Sequence, residues 1–281
     1  MKFLITGNKG QLGRAFVNKL TEKKQAFFGV DIEEIDISNL SEVLSLFENT
    51  KPDVLVNCAA YNLVDKAEND WDDAFMANAL GVRNLAYACK IHKTFLVHYG
   101  TDYVFDGTKR TGLYTEEDQP NPKTIYGKSK LLGENLLKKE LKSYLIFRLS
   151  WVFGSGTQNF IYKLKAWADK NDILSIVYDE ISSPTYTETV VDVTLEAIRQ
   201  NKRGLYHLCN EDYCSRYEWA KFILNELGIK KFIYPCSIKE FNLPTPRPAF
   251  SAMSSEKICN ELGLTLPNWK EATHIFINKQ E

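Results

Sequence analysis

An α/β fold, a doubly wound parallel sheet followed by a smaller C-terminal lobe, is what this sequence predicts, and three observations carry the prediction. Apolar runs bounded by turns alternate with amphipathic stretches through the first two thirds of the chain, as in a parallel sheet covered on both faces. A glycine-rich turn, Thr6-Gly7-Asn8-Lys9-Gly10-Gln11-Leu12-Gly13, separates the first apolar run from the first amphipathic one. The polar motifs downstream fall just after strand-like runs, where folds of this kind build their sites.

The elements follow in order. The apolar run at 2–6 reads as a strand and 11–23 as the helix that the glycine turn feeds. Further strands are expected over 26–31, 53–59, 94–100, 144–150 and 174–178, with helices over 41–49, 71–91, 125–139, 160–169 and 187–200 between them. Another short strand, 205–209, follows. Ser215 can cap a helix running to Leu227, and Gly228 is its natural stop. A proline-bearing loop over 243–248 precedes a last helical segment near 254–262. At 281 residues the chain has room for a dinucleotide-type domain over 1–150, with 174–210 added to it. The remainder, mainly 151–170 and 211–281 within 151–281, forms the second lobe. No internal repeat or low-complexity tract interrupts this plan.

Composition narrows the function. Apolar and charged contents of 44% and 25% are those of an ordinary globular protein. The net charge is −1 and no basic block occurs, which argues against nucleic acid or an anionic membrane as partner. Met1 leads straight into strand and glycine turn, and no apolar run reaches membrane-spanning length, so the expected location is cytoplasmic. Cys58, Cys89, Cys209, Cys214, Cys236 and Cys259 contain no C-x-x-C pair and read as reduced thiols. His92, His98, His207 and His274 have no i, i+4 partner, so no metal site is expected.

The motifs carry the chemistry. Gly7, Gly10 and Gly13 follow a strand and open a helix, so backbone N–H groups and a helix N-terminus can face a pyrophosphate. By itself such a turn can equally serve tight strand-to-helix packing. Asp31 closes the second strand eighteen residues after Gly13, where a carboxylate binds an unphosphorylated ribose and repels a 2′-phosphate. Lys9 and Arg14 argue for the phosphate, leaving NADPH or NADH open. Asn57, Cys58, Ala59 and Ala60 close the third strand with small side chains that let a cofactor approach, or merely pack the core. Asn62 to Glu68 is a polar loop. Thr101 follows the fourth strand, where a hydroxyl can hold a carbonyl oxygen. Tyr126 and Lys130 are four apart on one helical face, so the ammonium should lower the phenol pKa and make Tyr126 a general acid.

These segments resemble the extended short-chain dehydrogenase/reductases, which have a Rossmann-type fold, and within them the dTDP-4-dehydrorhamnose reductase family, over nearly the whole length. The residues carrying the resemblance are the glycine turn from Thr6, N-C-A-A-Y-N-L-V-D-K-A-E from Asn57, G-T-D-Y-V-F-D-G from Gly100 and Y-G-K-S-K from Tyr126. R-L-S-W-V-F-G from Arg148, S-P-T from Ser183 and R-P-A-F-S from Arg247 add to them. The resemblance implies reduction of the C4 ketone of a dTDP-bound 4-keto-6-deoxy sugar to dTDP-L-rhamnose, with Thr101, Tyr126 and Lys130 catalytic. It implies a nucleotide-sugar pocket containing Val64, Tyr103, Trp151 and Arg247, and a cofactor site that includes Gly7, Gly10, Gln11, Leu12, Gly13, Asp31, Asn57, Ala59, Ala60, Tyr126 and Lys130.

Gly100 stands where this family usually has serine. Tyr61-Asn62-Leu63 and Asp179-Glu180-Ile181-Ser182 also depart from its pattern. Some members form cation-bridged dimers; Glu188 matches one bridging position, whereas Ala15 occupies another, so monomer and homodimer both remain open. Two other readings share the motifs. An epimerase or dehydratase of the same fold would use acids beside the threonine, of which Asp102 is one. A non-catalytic regulatory subunit could keep the fold and the cofactor.

Overall fold

The protein is described from a computed structural model covering residues 1–279. Its first half follows the expected alternation: β1 (Phe3–Thr6), α1 (Gln11–Glu22), β2 (Phe27–Val30), α2 (Leu40–Thr50), β3 (Val54–Asn57), α3 (Trp71–Phe75), α4 (Val82–His92), β4 (Phe95–Thr101), α5 (Ile125–Glu140) and β5 (Tyr144–Leu149). Then come β6 (Val152–Phe153), α6 (Phe160–Lys170), β7 (Ile173–Val177), β8 (Ile181–Ser182), β9 (Thr185–Tyr186), α7 (Thr187–Arg199) and β10 (Gly204–His207). The chain ends with β11 (Cys214–Ser215), α8 (Arg216–Glu226), β12 (Phe232–Cys236), α9 (Glu256–Leu262) and α10 (Trp269–Asn278).

Six strands form the main sheet in the order β10-β5-β4-β3-β1-β2, with every pairing parallel. This is a Rossmann-type doubly wound sheet. Leu4, Leu55, Leu96 and Ile146 face a core under α2, α4 and α5. Ile5, Val56, Val97 and Phe147 face the opposite core under α1, α7 and α9. Strands buried on both faces explain the near-continuous apolar runs in the sequence. The strand order reverses between β1 and β3, so a crevice opens beyond their carboxyl ends.

Two expectations about elements change. The strand expected over 174–178 is β7, and it pairs with β12 in a separate two-stranded sheet, so of 174–210 only α7 and β10 belong to the main layer. Its alternating exposure, unlike the buried runs of the main strands, fits a one-sided ribbon. The helix expected over 71–91 is continuous in direction but relaxes into a π-helical turn at Met76–Gly81 between α3 and α4. Helix α5 packs closely against this turn: a Cβ at Gly133 would collide with the Asn78 carbonyl oxygen. Such π-bulges accumulate at functional sites.

A third core of Phe153, Trp219, Ile223, Tyr186 and Phe276 joins α6, α8 and α10 to the short strands. Helix α10 lies beyond the last helical segment that the sequence predicts. Asn268 starts it with a full capping box to Glu271.

Candidate active site

Two cavities meet the carboxyl ends of the strands. The first, of about 590 Å³, is bounded by the glycine turn, Asp31, Cys58, Ala59, Ala60 and Tyr61. Gly7 is left-handed at φ 71°, and a Cβ there would lie 2.6 Å from the Ala59 backbone nitrogen. Only glycine allows both the turn and the close approach of β1 to β3. A Cβ at Gly13 would strike the Gly7 carbonyl, so the third glycine packs α1 against the turn. Gly10 is the N-cap of α1 and offers no side-chain acceptor, which leaves the first-turn N–H groups of Gln11, Leu12 and Gly13 for an anion. The cavity therefore fits a dinucleotide pyrophosphate.

The side chains around the turn are more committed than expected. Asp31 accepts backbone N–H groups from Lys9 at 2.7 Å and from Ile32 at 2.9 Å. Lys9 does not stand free for a 2′-phosphate, because Nζ pairs with Glu33 at 2.9 Å and Glu34 at 2.8 Å. Arg14 donates to the carbonyls of Lys9 at 2.5 Å and Ser155 at 3.1 Å. Gln11 bridges the lobes, donating to the Val152 carbonyl at 3.1 Å and accepting from Asn159 at 3.1 Å. The Leu12 side chain packs into the main core. Both side chains are thus committed away from the crevice.

Asn57 ties the strand ends together. Its Oδ1 accepts from Thr6 Oγ1 at 2.7 Å and from the Ala59 N–H at 3.1 Å, and its Nδ2 meets His98 Nδ1 at 3.0 Å. Burial, and the Lys130 charge after it, hold His98 neutral, well below the usual imidazole range.

The proposed reacting groups lie at the end of β4 and in the first two turns of α5. Thr124 caps α5 by accepting the Gly127 N–H at 2.9 Å, which puts Tyr126 in the first turn and Lys130 one turn on. The Tyr126 ring meets Tyr103 edge-on at 5.6 Å. Gly127 is required here, since a Cβ would enter the Tyr103 carbonyl. The Tyr126 phenol was expected to be drawn down by Lys130. Instead burial pushes it up to about 12, a rise that the Thr101 hydroxyl moderates and the Asp102 charge reinforces. Lys130 donates to the Tyr99 carbonyl at 2.6 Å, and burial pushes its ammonium down to about 8 against the pull of Glu134. Desolvation is the largest cause in both groups. A protonated phenol is the form a proton donor needs.

Asp102 is not presented to the cleft as a dehydratase acid. It is buried and accepts hydroxyl hydrogen bonds from Thr101 at 3.2 Å, Ser251 at 2.6 Å and Ser182 at 3.3 Å.

The second cavity, of about 720 Å³, is walled by Asp65, Trp151, Phe160, Glu180, Arg216 and Trp219, among others. Trp151 has φ 40°, rare for a bulky side chain and a mark of stored strain at a site. Its ring stacks on Trp219 at 5.9 Å and carries the Arg216 guanidinium at 3.4 Å. Arg247 does not wait free for a diphosphate. Its Nη2 donates to Asp65 at 2.6 Å, and Tyr103 lies close by. Val64 is half-buried beside Asp65 in the same loop.

Sequence reasoning missed Asn78, Arg216 and the serines at 182 and 251. Asn78, on the π turn, accepts the Tyr61 N–H at 3.0 Å and donates to the Tyr61 carbonyl at 2.9 Å and Ser129 at 3.0 Å, linking the pocket loop to α5. An asparagine inside an otherwise apolar helical stretch was the available signal. Glu188 lies in the first turn of α7 and Ala15 is buried on α1, so the two positions compared with a cation bridge offer one carboxylate.

Comparison with known proteins agrees with this geometry. Residues 1–281 match the family model described as the RmlD substrate binding domain. The chain is 36% identical to the spore coat polysaccharide biosynthesis protein SpsK of Bacillus subtilis, across 99% of this chain and 98% of that one. Among solved structures, a dTDP-4-dehydrorhamnose reductase from Clostridium acetobutylicum superposes with a TM-score of 0.96 at 36% identity, covering 100% of this chain and 99% of that chain. A dTDP-4-dehydrorhamnose reductase from Bacillus anthracis, in complex with NADP, gives 0.95 at 33% identity over 99% of both chains.

Proposed function

The chain belongs to the RmlD substrate binding domain family, and from that membership we propose that it reduces the C4 ketone of dTDP-4-dehydrorhamnose to dTDP-L-rhamnose with NADPH or NADH. The observation that supports the reading is that the Thr101 hydroxyl, at the end of β4, lies against the Tyr126 phenol, with Lys130 one turn further along α5.

Gly7, Gly10, Gly13 and the N–H groups of Gln11 and Leu12 would hold the pyrophosphate, while Asn57, Ala59 and Ala60 admit the nicotinamide side. A nicotinamide dinucleotide held there would supply the hydride for C4, being oxidised in return. Tyr126 gives its phenol proton to the ketone oxygen, completing the alcohol. Thr101 holds that oxygen in line. Lys130 would hold the nicotinamide ribose and supply positive charge for the developing tyrosinate. Trp151, Tyr103, Val64 and Arg247 would seat the nucleotide sugar. The reading carries a cytoplasmic enzyme, monomeric or homodimeric, without a nucleic-acid or membrane partner. No helix among the described residues is long and apolar enough to cross a membrane.

The test is to follow NADPH and NADH oxidation with a panel of nucleotide-linked 4-keto-6-deoxyhexoses. Turnover of the dTDP-linked substrate is expected. Absence of turnover with every sugar would favour the regulatory-subunit reading.

A further inference from the structure

Asp102 is a buried carboxylate without a cationic partner in hydrogen-bonding contact, at 2% exposure. Such a group costs stability unless hydroxyls or N–H groups replace its water. Three hydroxyls do so here, each from a different part of the fold. Thr101 comes from the end of β4, Ser182 from β8, and Ser251 from the segment four residues beyond Arg247. An ionised carboxylate only accepts, so each hydroxyl bound to it must point its single proton inward. Ser251 makes the short contact at 2.6 Å and lies 3.0 Å from Ser182, which can then donate either to Ser251 or to the carboxylate. The Thr101 contact, at 3.2 Å, is longer than that of Ser251, and Thr101 also accepts the Tyr103 N–H at 3.2 Å.

We propose that Asp102 is a positioning residue for the reduction, holding the Thr101 hydroxyl proton in readiness for the ketone oxygen and tying it to the seating of the 247–251 segment. The proposal rests on the reductase reading above. A ketone oxygen lodged between Thr101 and Tyr126 competes for the threonine proton, and Asp102 can release it because Ser251 and Ser182 still satisfy the carboxylate. Displacement of Ser251 would unsettle the same carboxylate, so substrate contacts at Arg247 and the orientation of Thr101 share one anchor. Burial lifts the Asp102 carboxyl to about 6, with Glu180 adding to the rise and the three hydroxyls opposing it. Tyr126 on α5, Tyr103 and Cys209 are the other titratable groups that feel its charge, and burial pushes each of them upward, so they stay neutral near pH 6. Below pH 6 a neutral Asp102 becomes a donor and must reverse one of the hydroxyls.

The experiment compares the full chain with Asp102→Asn. The amide is isosteric, and hydroxyls can turn to meet its N–H groups, so folding and cofactor affinity should persist while kcat falls at least about tenfold. The acid limb of kcat near pH 6 should be present in the parent and missing in the variant, a change that a purely structural role would not produce. If Asp102→Asn fails to fold, Ser251→Ala removes the shortest bond alone and should lower kcat several-fold with cofactor affinity intact. A parent without turnover overturns both the reductase reading and this one. An active parent whose folded variants keep its kcat and acid limb overturns this inference alone.

Discussion

Arg247 and Asp65, 182 residues apart in sequence, are joined by a 2.6 Å ion pair that links the loop after β3 to the proline-bearing loop of the second lobe. Arg247 Nη1 and Asp65 Oδ1 are buried without a hydrogen-bond partner. Unspent polar atoms on both sides of the pair mark a place where a ligand can complete the bonding. A diphosphate would compete with Asp65 for the guanidinium, and bidentate phosphate contacts are strong enough to win.

Arg247→Ala should therefore raise KM for the nucleotide sugar at least tenfold, roughly 1.4 kcal/mol of binding, and leave cofactor affinity unchanged. Asp65→Asn should do the opposite to the free nucleoside diphosphate, tightening its Kd, because the competing carboxylate is gone. Calorimetric titration of both variants decides it. Weaker binding by Asp65→Asn would mean that the pair persists in the complex and shapes the site as a unit.

Tyr126→Phe should cut kcat by about 10²–10⁴, the worth of a positioned general acid, with cofactor affinity within a few-fold of the parent. The phenol is pushed up to about 12, so it stays protonated through any ordinary assay. An alkaline limb must come from elsewhere. Lys130, pushed down to about 8, carries its charge below that pH and loses it above. Rate profiles should fall on the alkaline side near pH 8, and Lys130→Met should abolish that limb while weakening cofactor binding.

Much of this was readable from the sequence, and the physical reason differs from part to part. The main strands are buried on both faces, so their apolar runs stand out, and the glycines at 7 and 13 are needed by geometry that any side chain would break. Thr101, Tyr126 and Lys130 could be singled out as candidates because each follows a strand end or a helix cap. What escaped depends on contacts distant in sequence. Nothing near Asp102 reveals the serines at 182 and 251. Nothing near Arg247 reveals Asp65, and nothing near Lys9 reveals that Glu33 and Glu34 will hold it. The pKa direction of Tyr126 was missed for the same reason, because burial is a property of the packed molecule. The β7–β12 ribbon was misplaced because a strand's sequence does not name its partner.

Asp31 bears on cofactor choice. Its carboxylate receives the Lys9 and Ile32 N–H groups at the rim of the crevice, so its charge is fixed where an adenosine ribose would sit. Asp31→Ala should shift the ratio of kcat/KM for NADH over NADPH towards NADPH by relieving repulsion of the 2′-phosphate. An unchanged ratio would assign Asp31 to holding the turn alone.

Gly100 departs from the serine usual in the family because the space beside it is taken. A Cβ there would collide with Glu134 Oε1 and come within 3.0 Å of Arg148 Cγ. Glu134 and Arg148 form a buried pair, 0% and 2% exposed, closed by bonds from Arg148 Nη2 at 2.8 Å and Nε at 3.1 Å. Removing one member strands the other's charge in the core, which typically costs about 3–5 kcal/mol. Glu134→Leu should therefore unfold at much lower urea concentration than the parent, whereas Glu134→Leu combined with Arg148→Met should recover most of the loss. Lys138 also approaches Glu134, at 3.6 Å, but is 29% exposed, and Lys138→Ala should change stability by no more than about 1 kcal/mol. The double substitution distinguishes two accounts of the pair: full recovery makes it a matter of charge balance, and failure to recover makes it a specific brace under Gly100 and the threonine that follows.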